Sequence, residues 1–223
     1  MSGIEQIFMD LDGPLLDGKE RHYFCYKMIL QMHGFVPICI DEYWEMKKAR
    51  INRKVLLDMS GAGMIYDKFL AQWITIIESR EALAFDRVQD CGIDCLRSWK
   101  DQGIRLTLVT MRKNRTTVEE QLQSTGLRLL LDDVLVCDHA DGGVGKADAV
   151  RNLFQSKVKN DVALWIGDTE ADWEAARSLG CRVVLLSNGL RNESYLNSLQ
   201  GSVVKPSIKS LKDIVLRVGV NVN

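Results

Sequence analysis

Ile7-Phe8-Met9-Asp10-Leu11-Asp12-Gly13 is the stretch that decides the fold. It opens as a short, uncharged apolar run of strand character and ends on two carboxylates and a turn-forming glycine. Residues i and i+2 of an extended segment point to one face, so the Asp10 and Asp12 carboxylates converge there. Two such charges about 4 Å apart repel by roughly 4 kcal/mol at an effective dielectric near 20. Separation, a shared proton or a divalent cation relieves that repulsion.

Four further runs rich in Val, Ile and Leu lie downstream, at 105–109, 134–137, 162–166 and 182–186. Helix-like stretches separate them, at 95–102, 116–125, 146–155 and 172–179, three of them stopped by Gly103, Gly126 and Gly180. Strands alternating with helices imply parallel βαβ units with right-handed crossovers. The expected fold is therefore α/β, a Rossmann-like doubly wound parallel sheet. One segment breaks the rhythm. About ninety residues between the first and second strands show only helical patterns, at 20–32, 41–59 and 66–84, punctuated by Gly34, Pro37 and Ser60-Gly61-Ala62-Gly63. They read as an inserted α-helical subdomain over 17–88, with 1–16 and 89–223 forming the core. The tail is expected to carry a weak strand at 203–204 and a helix over 207–217.

The balance of 29 basic against 30 acidic residues, a net charge of -1, argues against binding nucleic acid through an overall basic field. With 46% apolar and 26% charged residues the composition is that of an ordinary globular chain. Glu5 and Asp10 interrupt any signal-peptide pattern, and no apolar run approaches membrane-spanning length. The six cysteines have no Cys-x-x-Cys pairing, which favours free thiols over a zinc site and a cytoplasmic setting. The three histidines form no pair at ligand spacing, and Trp44, Trp73 and Trp99 are expected to pack the insertion and its junction with the core.

In an open parallel sheet, ligands bind beyond the carboxyl ends of the strands. The residues that follow each apolar run are therefore informative. They are Asp10, Asp12 and Asp17; then Thr110 and Arg112; then Asp138 and, past a glycine turn, Lys146; then Gly167, Asp168 and Asp172. Polar residues must follow any strand that meets solvent, but that requirement alone does not make strand ends supply acids, a hydroxyl and a lysine together. Carboxylate oxygens without histidine or thiol suit a hard ion, Mg²⁺ first among them.

Asp10-Leu-Asp-Gly-Pro-Leu-Leu-Asp17 resembles the first motif of the haloacid dehalogenase (HAD) superfamily, Thr110 its second, Lys146 its third and Gly167-Asp-Thr-Glu-Ala-Asp172 its fourth. The insertion between motifs one and two resembles the family's C1 cap, as in phosphoglycolate-phosphatase-like and β-phosphoglucomutase-like members. The resemblance implies an Mg²⁺-dependent phosphatase acting on a small phosphorylated metabolite through an aspartyl-phosphate. Asp10 would be the nucleophile and Asp12 the general acid and base. Thr110 would hydrogen-bond the phosphoryl group and Lys146 would neutralise it. Asp168 would bind the metal with the Asp10 carboxylate and the Asp12 carbonyl, and Asp172 would hold that shell in place.

Pro14 replaces the threonine common in the family, which stiffens the turn and removes one N–H. Gly142-Gly-Val-Gly145 before Lys146 imitates a P-loop, but Ala140 and Ala147 stand where its first glycine and its Ser or Thr belong. Arg112 is read either as solvated surface or as a substrate contact. Lys47, Lys48, Arg50, Arg53 and Lys54 form a basic run, read either as a solvated helix face or as the place from which Arg50 or Arg53 reaches an anionic leaving group. A sugar phosphomutase of the same superfamily needs the same core residues. A non-catalytic phosphate-binding or signalling module is the rival from another class. Substrate identity and oligomeric state are left open.

Overall fold

Successive side chains of the first strand, β1 (Gln6–Met9), enter opposite cores: Ile7 and Met9 join one buried cluster and Phe8 the other. The same alternation runs through β4 (Arg105–Thr110), with Leu106 and Leu108 against Val109, and β6 (Ala163–Gly167), with Leu164 and Ile166 against Ala163 and Trp165. A strand buried on both faces must be apolar on both, which is why these segments read as continuous runs. The computed structural model describes residues 3–155, 158–199 and 209–214. Among them the sheet has five parallel strands in the order β5 (Asp133–Val136), β4, β1, β6, β7 (Arg182–Leu185).

Helices cover both faces. Leu96 and Trp99 of α6 (Gly92–Asp101) and Val118 and Leu122 of α7 (Arg115–Ser124) complete one core. Ala147 and Val150 of α8 (Gly142–Phe154) and Ala175, Ala176 and Leu179 of α9 (Glu170–Leu179) complete the other, where Phe8 packs 5.7 Å from Trp165. Each large apolar side chain so buried contributes about 1.5–3 kcal/mol. Helix α8 begins four residues before the 146–155 stretch, so the expected glycine turn is helical. A Cβ at Gly143 would lie 2.3 Å from the Ala171 carbonyl oxygen. Gly143 therefore lets α8 and α9 approach closely, and the segment is the start of a helix rather than a phosphate loop.

The insertion holds α1 (Lys19–Met32), α2 (Ile40–Lys48), α3 (Arg53–Asp58), α4 (Tyr66–Ile76) and α5 (Arg80–Leu83) around a core of its own that includes Tyr26, Tyr43, Phe69 and Trp73. The pattern over 41–59 is broken in two at Arg50, whose φ of 60° no helix accommodates. The expectation of no strand in this region is corrected by a short antiparallel ribbon at its two ends, β2 (Leu16–Asp17) with β3 (Arg87–Val88). Two residues per strand give no periodicity to read. Trp44 and Trp73 pack in the insertion and Trp99 in the sheet core. In the tail, the described residues 209–214 hold one 3₁₀ turn, Leu211–Asp213, in place of the helix expected over 207–217; the rest of that span, 207–208 and 215–217, and the expected strand at 203–204 lie outside the described residues.

Candidate active site

Strands β1, β4 and β6 end side by side and carry Asp10, Thr110 and Asp168 to one edge of the sheet, where the chain passes from one half of the sheet to the other. The Asp10 N–H still pairs with the Ile166 carbonyl at 3.0 Å, so the carboxylate is fixed by the strand and not by a loop. Its Oδ1 accepts the Leu11 N–H at 2.7 Å and its Oδ2 meets Lys146 Nζ at 2.8 Å.

Lys146 is fully buried. It lies between Asp10 and Asp172, 2.7 Å from Asp172 Oδ1. Burial pulls its pKa down, but the two carboxylates outweigh that and hold it above the ordinary lysine range. Burial conversely raises Asp10, against the opposing pull of Lys146. Asp172 is spoken for on both oxygens. Lys146 and the Trp165 indole N–H donate to Oδ1, while Oδ2 accepts the Thr169 hydroxyl at 2.7 Å and the Asp168 and Thr169 N–H groups at 3.2 Å. It is built to hold Lys146 and the start of α9 in register with β6.

Asp168 is different. Leu190 N–H donates to its Oδ2, but its Oδ1 is buried without a hydrogen-bond partner. Burial first, then the neighbouring Asp172 and Asp10, push its pKa well up. A Cβ at Gly13 or Gly189 would fall 2.2 or 2.1 Å from atoms of this carboxylate, so both positions exclude any side chain. Gly13 also has a φ of 94°, which L-residues resist. Oxygens of Asp10, Asp168 and Asp172 lie within 4.8 Å of one another. An orphaned oxygen facing a second carboxylate in an all-oxygen cradle fits a hard divalent cation, with Asp10 and Asp168 as the groups that would hold it.

The Asp12 carboxylate is not part of that group. It lies in a buried four-charge cluster with Arg21, Arg112 and Asp86. Arg112 Nε reaches Oδ2 at 2.8 Å and Nη2 reaches Oδ1 at 2.6 Å, while Arg21 Nη2 adds 2.6 Å to Oδ1. Asp86 receives Arg112 at 2.9 Å and lies 3.0 Å from Arg21 Nε. Burial would raise Asp12, yet Arg112 and then Arg21 hold it well below the usual carboxylate range. Arg112, read in sequence as surface or as a substrate contact, thus has a 3% exposed side chain gripping Asp12. Nothing in the sequence singled out Arg21 or Asp86, which belong to a helix and a turn with no strand-end signature.

Pro14 lies in a turn whose hydrogen bonds come from Gly13, Leu15 and Leu16 N–H groups, so no bond there needs a donor at position 14. Thr110 is buried and accepts the Arg112 N–H at 3.4 Å. Arg50 and Arg53 fall elsewhere. They line a cavity of about 610 Å³ between the insertion and the 191–195 segment, together with Lys47, Arg191 and Tyr195. Asp10, Thr110, Lys146 and Asp168 do not line it. The two places are joined through α9, since Glu170, two residues after Asp168, pairs with Arg191 at 2.9 Å and with Arg50 at 2.8 Å.

Residues 7–186 match the family described as haloacid dehalogenase-like hydrolase. A pyrophosphatase, PpaX of Bacillus mycoides (strain KBAB4), is 21% identical over 228 aligned positions that span 96% of this chain and 98% of the relative. Among solved structures, a predicted phosphatase from Clostridium acetobutylicum superposes with a TM-score of 0.69 at 19% identity, covering 95% of this chain and 96% of that one. A haloacid dehalogenase-like hydrolase from Streptococcus pneumoniae gives 0.68 at 19%, covering 91% and 95%. A predicted phosphoglycolate phosphatase from Haemophilus somnus gives 0.64 at 20%, covering 86% and 88%. At these identities the structures speak for a shared fold.

Proposed function

The chain belongs to the haloacid dehalogenase-like hydrolase family, and from that premise we propose that it is an Mg²⁺-dependent phosphatase of small phosphorylated metabolites, working through an aspartyl-phosphate on Asp10. The observation that carries this reading is the placement of a strand-fixed Asp10 between a buried, charged Lys146 and the orphaned oxygen of Asp168. When bound by Asp10 and Asp168, Mg²⁺ supplies compensation for phosphoryl charge.

The chain's own residues divide the remaining work. Asp10 Oδ attacks phosphorus and the leaving oxygen departs. Lys146, locked by Asp172, faces the transferring group with a charge that does not titrate away near neutrality. Thr110, at the end of β4, offers a hydroxyl to a phosphoryl oxygen. Asp12, held ionised by two arginines, fits the base that takes a proton from the water attacking the aspartyl-phosphate. To act first as an acid it must exchange part of that clamp. Arg21 lies on α1 of the insertion whereas Arg112 follows β4, so motion of the helical segment against the sheet changes how many arginines face Asp12. We treat residues 17–88 as a cap over 1–16 and 89–223, closing on substrate to exclude water. The curated pyrophosphatase relative is consistent with phosphoryl hydrolysis.

The test is phosphate release from a panel of phosphorylated metabolites, including pyrophosphate and phosphoglycolate, with Mg²⁺ or with EDTA, in the wild type and Asp10→Asn. Metal-dependent release lost in Asp10→Asn supports the reading; release that survives in Asp10→Asn removes Asp10 as nucleophile.

A further inference from the structure

Asp86, in the turn ahead of β3, meets the charges around Asp12 with its two oxygens in different states. Oδ2 is anchored from the sheet side, where Arg112 Nη2 and Gln121 Nε2 both donate to it at 2.9 Å. Oδ1 lies 3.0 Å from Nε of Arg21, at the start of α1. The two groups are nevertheless not aligned for a hydrogen bond, and neither atom has a hydrogen-bond partner among the described residues. Buried donors and acceptors are almost always paired, so a guanidinium Nε–H and a carboxylate oxygen left unpaired at contact distance call for a reason. Arg21 is turned toward Asp12 instead. Its Nη2 donates at 2.6 Å to Asp12 Oδ1, an oxygen that Arg112 Nη2 also holds at 2.6 Å. Two arginines thus face two carboxylates, and Asp12 takes the better-aligned share.

We infer that Asp86 is a positioning residue for Asp12, its Oδ1 being the seat that Arg21 takes when Asp12 turns to the substrate. The inference rests on the phosphatase reading and names the residue that lets Asp12 leave its clamp. In the acid step the bond from Asp10 Oδ to phosphorus forms and the bond from phosphorus to the leaving oxygen breaks. Protonated Asp12 gives its proton to that oxygen. It cannot do so while both guanidinium groups hold it. A buried arginine stripped of its carboxylate is costly, so the departure of Asp12 is resisted unless a second acceptor is at hand. Asp86 Oδ1 is that acceptor. It already lies beside Arg21 Nε, and bringing the two into line creates a charge-assisted hydrogen bond. Arg112 stays in place, because its Nη1 donates to Gln121 at 2.8 Å. The anchored Oδ2 likewise keeps Asp86 from following Arg21 toward Asp12. Contacts are exchanged and no guanidinium is left without a carboxylate.

The experiment measures kcat/KM for a graded series of aryl phosphates, from p-nitrophenyl to p-methoxyphenyl, in Mg²⁺. The proteins are the wild type, Asp86→Asn, Arg21→Met and the double variant. p-Nitrophenolate leaves without a proton, whereas p-methoxyphenolate gains from one, and kcat/KM reports the steps up to that departure. The ratio of the p-methoxyphenyl to the p-nitrophenyl ester therefore reads the acid step. Asp86→Asn removes the charged seat and leaves Asp12 as the one carboxylate for two arginines. Its ratio is expected to fall about tenfold or more, with kcat/KM for p-nitrophenyl phosphate within about threefold of wild type. In Asp86→Asn with Arg21→Met no second arginine needs a seat, and the ratio is expected to return to within about threefold of that of Arg21→Met. Loss of a merely structural contact lowers both esters together and is not rescued by removing a further buried charge. A ratio unmoved in Asp86→Asn, or one in the double variant still about tenfold below Arg21→Met, overturns the role of Asp86 while leaving the phosphatase standing. Where Asp86→Asn does not fold, the double variant, with one arginine for one aspartate, decides against Arg21→Met by the same criterion. No release even from p-nitrophenyl phosphate in the wild type overturns the phosphatase reading, and the role of Asp86 falls with it.

Discussion

Arg112 grips Asp12 at both carboxylate oxygens, Nε to Oδ2 at 2.8 Å and Nη2 to Oδ1 at 2.6 Å, across a hundred residues of sequence. The same guanidinium holds Asp86 at 2.9 Å and donates through Nη1 to Gln121 at 2.8 Å. The planar fork serves all three partners while gripping Asp12 at two points, a geometry that a lysine ammonium does not reproduce. Arg112→Met leaves Asp12 and Asp86 facing a single arginine and is expected to cost about 3–5 kcal/mol of stability, read by urea unfolding. Arg112→Lys keeps the charge but loses the two-point grip. It is expected to lower kcat/KM by about tenfold to a hundredfold while losing less stability than the methionine variant. A lysine variant with unchanged kinetics would show that the orientation of Asp12 does not depend on this contact.

The sheet and the strand-end residues were readable because the three central strands are buried on both faces and stop at the same edge, so apolar runs and the polar residues after them mark the site in one dimension. Asp10, Thr110, Lys146, Asp168 and Asp172 all carry that mark. The clamp on Asp12 carries none. Arg21 sits in the first turn of a helix, beside the likewise buried His22, and Asp86 precedes a strand of two residues. Their meeting depends on how the insertion folds back on the sheet, a long-range arrangement that local pattern does not encode. The break of the basic segment at Arg50 was hidden for a related reason. Positive φ in a non-glycine residue leaves no trace in composition, yet it turns Arg53 onto the Trp73 face.

Lys146 separates two buried carboxylates, at 2.8 Å from Asp10 and 2.7 Å from Asp172. Lys146→Met, similar in volume and neutral, is expected to destabilise the metal-free protein by about 3–5 kcal/mol at neutral pH, because it leaves like charges together. The deficit has a defined pH dependence. Burial already raises Asp10 in the folded state, and losing Lys146 removes the chief opposing influence. A carboxylate with a raised folded pKa binds protons in the folded state that it does not bind unfolded, so stability is regained as pH falls. Unfolding at about pH 7 and about pH 5 checks the sign, and a deficit that widens on acidification would contradict it.

Asp168 Oδ1 is buried without a partner, beside Asp10 and Asp172. Asp168→Asn removes a charge while retaining an oxygen to accept the Leu190 N–H. Without metal the variant is expected to melt above the wild type. Adding Mg²⁺ should stabilise the wild type by about 2.7 kcal/mol at a hundredfold excess over Kd. The same addition should barely move the variant. Thermal melts with EDTA and with Mg²⁺ give both readings without any substrate. An Mg²⁺-induced rise of equal size in the two proteins would remove Asp168 from the metal site.

Lys47 offers a test read in stability alone. Burial first, and then Arg53, Arg191, Arg21 and Arg50, lower its pKa from the ordinary value to about 7. Between that value and the unfolded one, the unfolded chain binds a proton that the folded chain does not, so the wild type gains stability as pH rises through this window. Below it, folded Lys47 is charged and the full cost of crowding is present. Lys47→Met removes that cost and keeps contact with the Trp73 ring, so the variant is expected to melt above the wild type. The gain should be largest near about pH 6 and shrink toward about pH 9. Melting curves at the two pH values decide the matter. A variant that is less stable at both pH values would mean that Lys47 is held by attraction within the folded protein, and the crowding of cations around it would no longer explain its position.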